Sequence, residues 1–245
     1  MINRQNNVYT VCYAALLVIV VGLALSLIYQ ALRPMQQENI ANDTRRQILA
    51  AALISPDEQH PVSLLYKEHI KDSFIVDANG QRVDSGMDPF DVNVAEQSKV
   101  APDKRILPVF LCSTDHGDKY ILPVYGAGLW GPIWGYVAFD SNGETIYGAY
   151  FAHQGETPGL GAEIEKPAFS SQFEGKNVFN DEGKFTSVAV SKVGHAPTDG
   201  TPYVDAISGG TVTSTGVQKM LFDSLEPYTV FLRHLAVDTA LDNIK

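Results

Sequence analysis

From position 8 to position 32 the chain carries no charged residue, and the run VYTVCYAALLVIVVGLALSLIYQAL is almost wholly aliphatic and aromatic. As a helix rising 1.5 Å per residue this run is about 36 Å long, enough to cross a hydrocarbon layer of ~30 Å with some tilt. A cleavable signal peptide is the competing reading, but its apolar core would be about 7–15 residues long with small residues before the cut. This run is longer, and no A-x-A pattern closes it. A single retained anchor over residues 8–32 is therefore expected. Tyr9, Tyr13 and Tyr29 stand towards its two ends, where amphipathic rings prefer the interface. Arg4 flanks one side and Arg33, Arg45 and Arg46 the other, so basic residues alone do not set its direction. Residues 1–7 form a short polar tail that is easily left in the cytoplasm.

The 245 residues include 45% hydrophobic ones, enough for a real core beyond the anchor. A formal net charge of −10 argues against a nucleic-acid partner, which needs a clustered basic surface. It also argues against a domain lying flat on anionic lipid. The six histidines, His60, His69, His116, His153, His195 and His234, show no metal-ligand spacing. Cys12 and Cys112 are a hundred residues apart, one of them inside the apolar run, and no CxxC occurs. Neither a disulfide nor a zinc or iron–sulfur site built from this chain alone is expected.

After the anchor the pattern predicts a helical stalk over residues 33–56 and one α+β domain with an antiparallel sheet over residues 57–245. Residues 38–54 have helical periodicity with Ile40, Ile48, Leu49 and Leu53 as the buried stripe, and Ser55-Pro56 ends the helix. DSFIVDANGQRV reads as a hairpin turning at Asn79-Gly80. Residues 105–112 and 119–125 read as strands joined at Asp115-His116-Gly117-Asp118, and residues 133–140 and 145–152 as a hairpin across Ser141-Asn142-Gly143. Residues 161–173 carry weak helical periodicity, 185–190 a further strand, and 217–235 one or two terminal helices.

Three motifs carry the chemistry. In DAISGGTVTS (residues 205–214), Gly209 and Gly210 strip side chains from the backbone just before Thr211. That suits a hydroxyl standing at a bend to receive a bulky group, or a backbone cradling a phosphate. A polar turn between two elements is the plainer alternative. In YGAGLWGPIWG (residues 125–135), glycines alternate with large rings and hold both tryptophans, Trp130 and Trp134. Such a segment is either a loop clamped by core aromatics or a wall for a flat conjugated ligand. In HQGETPGLG (residues 153–161), a Pro-Gly turn follows a strand. His153 and Glu156 could act there as a general base and its orienter, with Ser208 or Thr211 as nucleophile, in a hydrolase. No GxSxG or P-loop accompanies them.

GAGLWGPIWGY, HQGETPGLGAEI and DAISGGTVTSTGV, in this order behind one N-terminal span, resemble the C-subunit family of the bacterial sodium-pumping NADH:quinone oxidoreductases. The related G-subunit of Rnf electron-transport complexes shares the same FMN-binding domain. The resemblance covers essentially the whole chain. It implies FMN joined through its phosphate to a threonine hydroxyl that ends the pattern Asp-x-x-Ser/Thr-Gly-Ala-Thr, here Asp205 through Thr211, with Gly210 where alanine is usual. It further implies a separate flavin transferase using FAD and a divalent metal, partner subunits in a membrane complex, and residues 57–245 as the FMN-binding domain, which a tail left in the cytoplasm would place in a bacterial periplasm at the inner membrane. By motif, Glu156, Thr157, Gly159 and Leu160 would form part of the flavin pocket, with Trp130 beside the ring. Lys192 would place a positive charge near the phosphate or the reduced flavin. Ser208, Gly209, Gly210, Thr213 and Ser214 would support the esterified Thr211. The implied role is electron relay, with an Rnf-type complex as the alternative. A purely structural membrane subunit is the remaining alternative from another class.

Overall fold

The computed structural model describes the backbone of residues 7–57 and 60–242 and the side chains of residues 8–57 and 60–237. Arg4 and the rest of the tail before residue 7 lie outside the described residues. The chain divides into two units, Met1–Thr44 and Arg45–Lys245. Helix α1 (Asn7–Ala51) begins in the first and supplies its last turns to the second. It is long and apolar enough to cross a membrane. Pro34 lies inside it, just past the uncharged run, and removes one backbone donor there.

The helix ends earlier than Ser55-Pro56 suggested. The Ile54 N–H reaches back to the Leu49 carbonyl at 3.0 Å and the Leu53 N–H to that of Ala50 at 3.0 Å. This is the bond pair of a Schellman turn, with Leu53 at φ 61° in the place glycine usually takes. The terminating signal is thus tertiary, because Leu53 accepts a left-handed backbone that an isolated sequence would avoid. Of the expected stripe, Ile48 and Leu49 are fully buried, whereas Ile40 and Leu53 are exposed.

The second unit is built on a six-stranded antiparallel sheet, with strands β1 (Ile70–Val76), β2 (Arg82–Val83), β3 (Leu107–Thr114), β4 (Gly117–Ala127), β5 (Pro132–Asp140) and β6 (Ile146–His153). Their spatial order is β2-β1-β3-β4-β5-β6. Both expected hairpins form. Gly80 and Gly143 have positive φ in their turns, and both turns press on the backbone of the C-terminal helix α6 (Thr229–Asp242). A Cβ on Gly80 would fall 2.6 Å from the Phe231 nitrogen, and one on Gly143 would overlap the Leu232 carbonyl oxygen.

Alternation sorts side chains to the two faces of the sheet. One face packs Val109, Leu122, Val124, Ile133, Val137 and Phe139 against the helix α5 (Thr211–Leu225) and α6. The other packs Phe110, Cys112, Ile121 and Ala138 against Ile48, Ala51 and Ala52 of the first helix's end. Short helices α2 (Val62–His69), α3 (Val94–Gln97) and α4 (Pro167–Ser170) fill the connections.

The β3–β4 ladder stops at Phe110 opposite Ile121. Just beyond it lie Pro108 and Pro123, neither of which can donate a ladder hydrogen bond. Helix α5 and the turn after it satisfy the groups left over. The Ser224 hydroxyl accepts from the Tyr125 N–H at 3.1 Å and donates to the Tyr125 carbonyl at 3.2 Å, while the Tyr228 hydroxyl donates to the Pro108 carbonyl at 2.9 Å. Complete burial pushes the Tyr228 pKa well up. The end of β4 is thereby held under α5 and leads directly into the glycine–tryptophan loop.

Three expectations are corrected downstream. Residues 161–173 form a 3-10 turn (Gly161–Glu165), then α4 and a second 3-10 turn (Ser171–Phe173), because Pro167 interrupts any continuous helix. The strand expected over 185–190 is shifted to β7 (Ala189–Ser191), since Ser187 takes φ 58° just before it. It pairs in parallel with β8 (Tyr203–Asp205). Gln218 covers the β7 edge by accepting from the Val190 N–H at 2.9 Å, and Gln172 covers β8 by accepting from the Asp205 N–H at 2.8 Å. The terminal helix expected from residue 217 begins six residues earlier, at Thr211 itself.

Candidate functional site

Thr211 is the first residue of α5 and not the tip of a bend. The chain leaves β8, turns with the Gly210 N–H on the Ile207 carbonyl at 3.0 Å, and starts the helix with the Ser214 N–H on the Gly210 carbonyl at 2.9 Å. Gly209 at φ 76° makes the turn possible. Gly210 is the N-cap, at φ −102°, and offers no side chain to the helix. A methyl group there would sit 3.0 Å from Ile207 Cγ2 and 3.3 Å from the Leu160 carbonyl carbon, so an alanine at this position fits only if Ile207 yields slightly.

The hydroxyls that looked alike in sequence have different duties. Thr213 is buried and its Oγ1 donates to Glu156 Oε2 at 2.5 Å. Ser214 is buried and its Oγ accepts from the Ile207 N–H at 3.1 Å, tying the loop to the first turn. Thr215 donates to the Thr211 carbonyl at 3.0 Å. Ser208 and Thr211 are exposed. Among the described residues neither hydroxyl makes a hydrogen bond, and of the two only that of Thr211 stands on a helix. The first turn of α5 has backbone N–H groups with no partner in the helix and no side-chain cap. Together with the helix dipole they favour an anion beside Thr211.

The other two motifs converge on the same place through Glu156. Its side chain is only 4% exposed. Oε1 accepts from the Trp130 N–H at 2.8 Å and Oε2 from Thr213. The loop itself is closed by the Gly128 N–H on the Gly131 carbonyl at 2.8 Å. Trp130 leaves 69% of its surface exposed, and Leu129, Leu160 and Val212 are exposed as well. These side chains give the neighbourhood of Thr211 an apolar surface. Thr157 is exposed, its carbonyl accepts from Leu160 and Ala162, and Gly159 at φ 75° turns the loop. Leu160 packs so close to the 209–210 turn that a Cβ on Gly209 would lie 2.6 Å from Leu160 Cδ2. Lys192 is exposed and follows Ser191, whose carbonyl accepts from the Ala206 N–H at 2.7 Å. That places it beside the start of the Thr211 loop.

Two features of the sequence are separated by the fold. Trp134 lies on the opposite face of the sheet from the core under α5, half-buried, and its indole N–H donates to Gln47 Oε1 at 3.0 Å. It is not a second wall beside Trp130. Nor does Glu156 orient His153 through its carboxylate, because the contact is the Glu156 backbone N–H donating to His153 Nδ1 at 3.1 Å. His153 Nε2 faces Glu165 Oε1 at 3.7 Å. Among the described residues no hydrogen bond joins His153 to Ser208 or Thr211, so the base–nucleophile contact a hydrolase needs is not made. The duty of Glu156 and the Trp134–Gln47 contact were invisible in sequence, since partners 26, 57 and 87 residues apart leave no local pattern.

Two clefts flank α5. One of about 590 Å³ is lined by Ser187, His195, Asp199, Gln218 and Phe222, and one of about 460 Å³ by Arg105, Tyr125, Gly126, Gly131 and Ser224. Neither includes Thr211.

Residues 128–226 match the family model of the FMN-binding domain, and Trp130, Glu156, Thr157, Gly159, Leu160, Lys192 and Thr211 all fall inside it. The chain is 34% identical over 221 residues to the C-subunit of the Na(+)-translocating NADH-quinone reductase of Vibrio vulnificus, covering 82% of this chain and 86% of that protein. It is 43% identical over 115 residues to the same polypeptide from Yersinia pestis, covering 46% of this chain and 42% of that protein. Among solved structures, the C-subunit of the Na(+)-translocating NADH-quinone reductase from Parabacteroides distasonis superposes with a TM-score of 0.75 at 48% identity, covering 82% of this chain and 96% of that one. NqrC from Shewanella oneidensis gives 0.65 at 27% identity, covering 80% and 98%.

Proposed function

The chain belongs to the C-subunit family of the Na(+)-translocating NADH-quinone reductases, and from that premise we propose that it is a membrane-anchored electron carrier with FMN esterified through its phosphate to Thr211. The observation that carries this reading is the singling out of one hydroxyl. Within the run Thr211–Thr215, the hydroxyls of Thr213, Ser214 and Thr215 are engaged in hydrogen bonds. That of Thr211 is exposed at the uncapped start of a 15-residue helix. A phosphodiester formed there keeps one negative charge beside the free N–H groups of the first turn.

FMN, when bound, supplies the redox chemistry. The residues of the chain position it. Trp130, Leu160 and Val212 offer an apolar surface on which a flat ring can rest while one edge stays open to a neighbouring electron carrier. Lys192, exposed and next to Ser191, which bonds the start of the Thr211 loop, would supply a positive charge for the phosphate or the reduced flavin. Attachment needs a transferase that passes the FMN half of FAD to the Thr211 oxygen. The P–O bond to threonine forms as the pyrophosphate bond breaks, AMP leaves, and the hydroxyl proton goes to a base on the transferase. With the cofactor tethered, no enclosing pocket is needed.

The span at residues 8–32 would hold the domain at the inner membrane, facing the periplasm, among the other subunits of the complex. A single helix without charges in its apolar run offers no path for sodium, so translocation belongs to partner subunits. The relatives come from sodium-translocating reductases, which favours that complex over the Rnf type.

The test is in-gel flavin fluorescence after denaturation, with a flavin transferase co-expressed. A fluorescent band for the natural chain and for Ser208→Ala, absent for Thr211→Ala, is expected. A band that survives Thr211→Ala overturns the attachment site, and a colourless natural chain supports the purely structural alternative. For sidedness, Ser208→Cys should react with a membrane-impermeant maleimide in spheroplasts. Protection until the membrane is opened would contradict the periplasmic placement.

A further inference from the structure

Glu156 is a buried carboxylate that, among the described residues, has no cation within ion-pair distance. Such a group costs free energy unless its oxygens are fully engaged. Its two oxygens reach two separate segments. Oε1 takes the backbone N–H of Trp130 at 2.8 Å, and Oε2 takes the hydroxyl of Thr213 at 2.5 Å. Thr213 lies in the first turn of α5, so the positive end of that helix also favours the charge.

Glycines in the Trp130 loop and in the 3-10 turn after the Glu156 loop leave room for the carboxylate. A Cβ on Gly128 would lie 2.5 Å from Oε1, and one on Gly161 would overlap both Oε2 and the Thr213 hydroxyl. The Glu156 backbone is itself fixed to the end of β6 through the His153 ring. Three segments distant in sequence are thus joined by one side chain that does not face the exposed surface.

We propose that Glu156 is a positioning residue that yokes the Trp130 loop to the first turn of α5, so that the aromatic surface and the attachment point move as one body. Glu156 then serves the expected flavin pocket from beneath its surface, and its meaning for the cofactor rests on the proposed attachment at Thr211. The carboxylate acts on the flavin through Trp130 and Thr213 and does not itself touch the ring. Glutamine can keep both contacts, with its carbonyl accepting from Trp130 and its amide donating to the Thr213 oxygen. Alanine keeps neither.

The experiment uses the full chain in detergent with Trp134→Phe, which leaves Trp130 as the single emitting indole. In a flavin-free Thr211→Val background, Glu156→Ala is expected to lower the emission anisotropy of Trp130, and Glu156→Gln to restore it. Thr213→Val is expected to produce part of the same loss, and to add nothing on top of Glu156→Ala. In the flavinylated protein, Glu156→Ala is expected to retain FMN on Thr211 but to lose its quenching by Trp130, so that flavin brightness rises by about twofold as the two surfaces separate.

Unchanged anisotropy in Glu156→Ala, or additive effects of the two substitutions, would overturn the proposal. If Glu156→Ala fails to fold, Thr213→Val, which removes the hydroxyl bonded to Oε2, decides: lowered Trp130 anisotropy is expected, and unchanged anisotropy overturns the proposal. If the natural chain proves to carry no FMN at Thr211, the functional reading fails while the anisotropy arm still decides whether the yoke exists.

Discussion

Trp130 and Trp134 are four residues apart in the sequence and belong to regions held by different physics. On the sheet face that carries Trp134, polar groups find partners inside a packed layer. The indole bonds to Gln47, and Lys119 is buried against Asp140 at 2.9 Å, the His116 carbonyl and the Tyr147 ring at 4.5 Å. The last turns of α1 cover the apolar part of that face. Around Trp130 the side chains are largely exposed, and order comes from one carboxylate, three short loops and the glycines that let them meet. Packed cores on both faces of the sheet therefore carry the stability and the exposed Trp130 surface the function, and the two should respond separately to substitution.

The largest effect is expected in the scaffold. Phe173 is fully buried, with ring centroids 5.1 Å from Phe151 and 5.4 Å from Phe169. Phe173→Ala should cost about 3–5 kcal/mol in urea unfolding, while the folded fraction still takes FMN. A loss of flavin attachment in excess of the loss of folded protein would break the separation.

A smaller cost is expected at the charged pair. Asp140→Ala leaves the Lys119 ammonium, whose side chain is 4% exposed, without its carboxylate. Because Asp140 is itself 35% exposed, solvent screening holds the expected loss to about 1–2 kcal/mol. The flavin spectrum should be unchanged. On the site side the pattern reverses. Trp130→Ala should change the unfolding free energy by less than about 0.5 kcal/mol, since it removes an exposed ring, yet alter the brightness of the attached flavin. An equal loss of stability in Trp130→Ala and Asp140→Ala would erase the comparison.

The contrast also explains how much was legible in the sequence. The hairpins at Asn79-Gly80 and Asn142-Gly143, the strand pairs around them and the long apolar helix are written in local period and turn chemistry, and they form as expected. The Schellman stop at Leu53, the displacement of β7 by the left-handed Ser187 and the start of α5 at Thr211 depend on tertiary contacts that override local preference. At the site, the three motifs were legible as motifs. Their junction was not, because Glu156 does its joining across 26 and 57 residues, and a glutamate in a Pro-Gly turn looks like a surface group.

A last test sharpens the scaffold side through pH. Burial pushes the Cys112 thiol up to about 12 from its ordinary 9.0. Above pH 9 the unfolded thiol loses its proton while the folded one keeps it. The associated stability is therefore complete below pH 9 and is lost as pH rises towards 12. Burial raises Tyr66 to about 12 as well, so Cys112→Ala should remove only part of the fall in melting temperature between these limits. An identical alkaline slope in Cys112→Ala would show that the thiol contributes nothing to it.

The central claim is that Thr211, alone among these hydroxyls, carries the cofactor. It is tested most directly by mass analysis of the peptide containing Thr211 from protein co-expressed with a flavin transferase. The account predicts an added mass of FMN less water, localised by fragmentation to Thr211 and absent without the transferase. An unmodified Thr211 peptide in yellow protein, or the same added mass on Ser208, would contradict it.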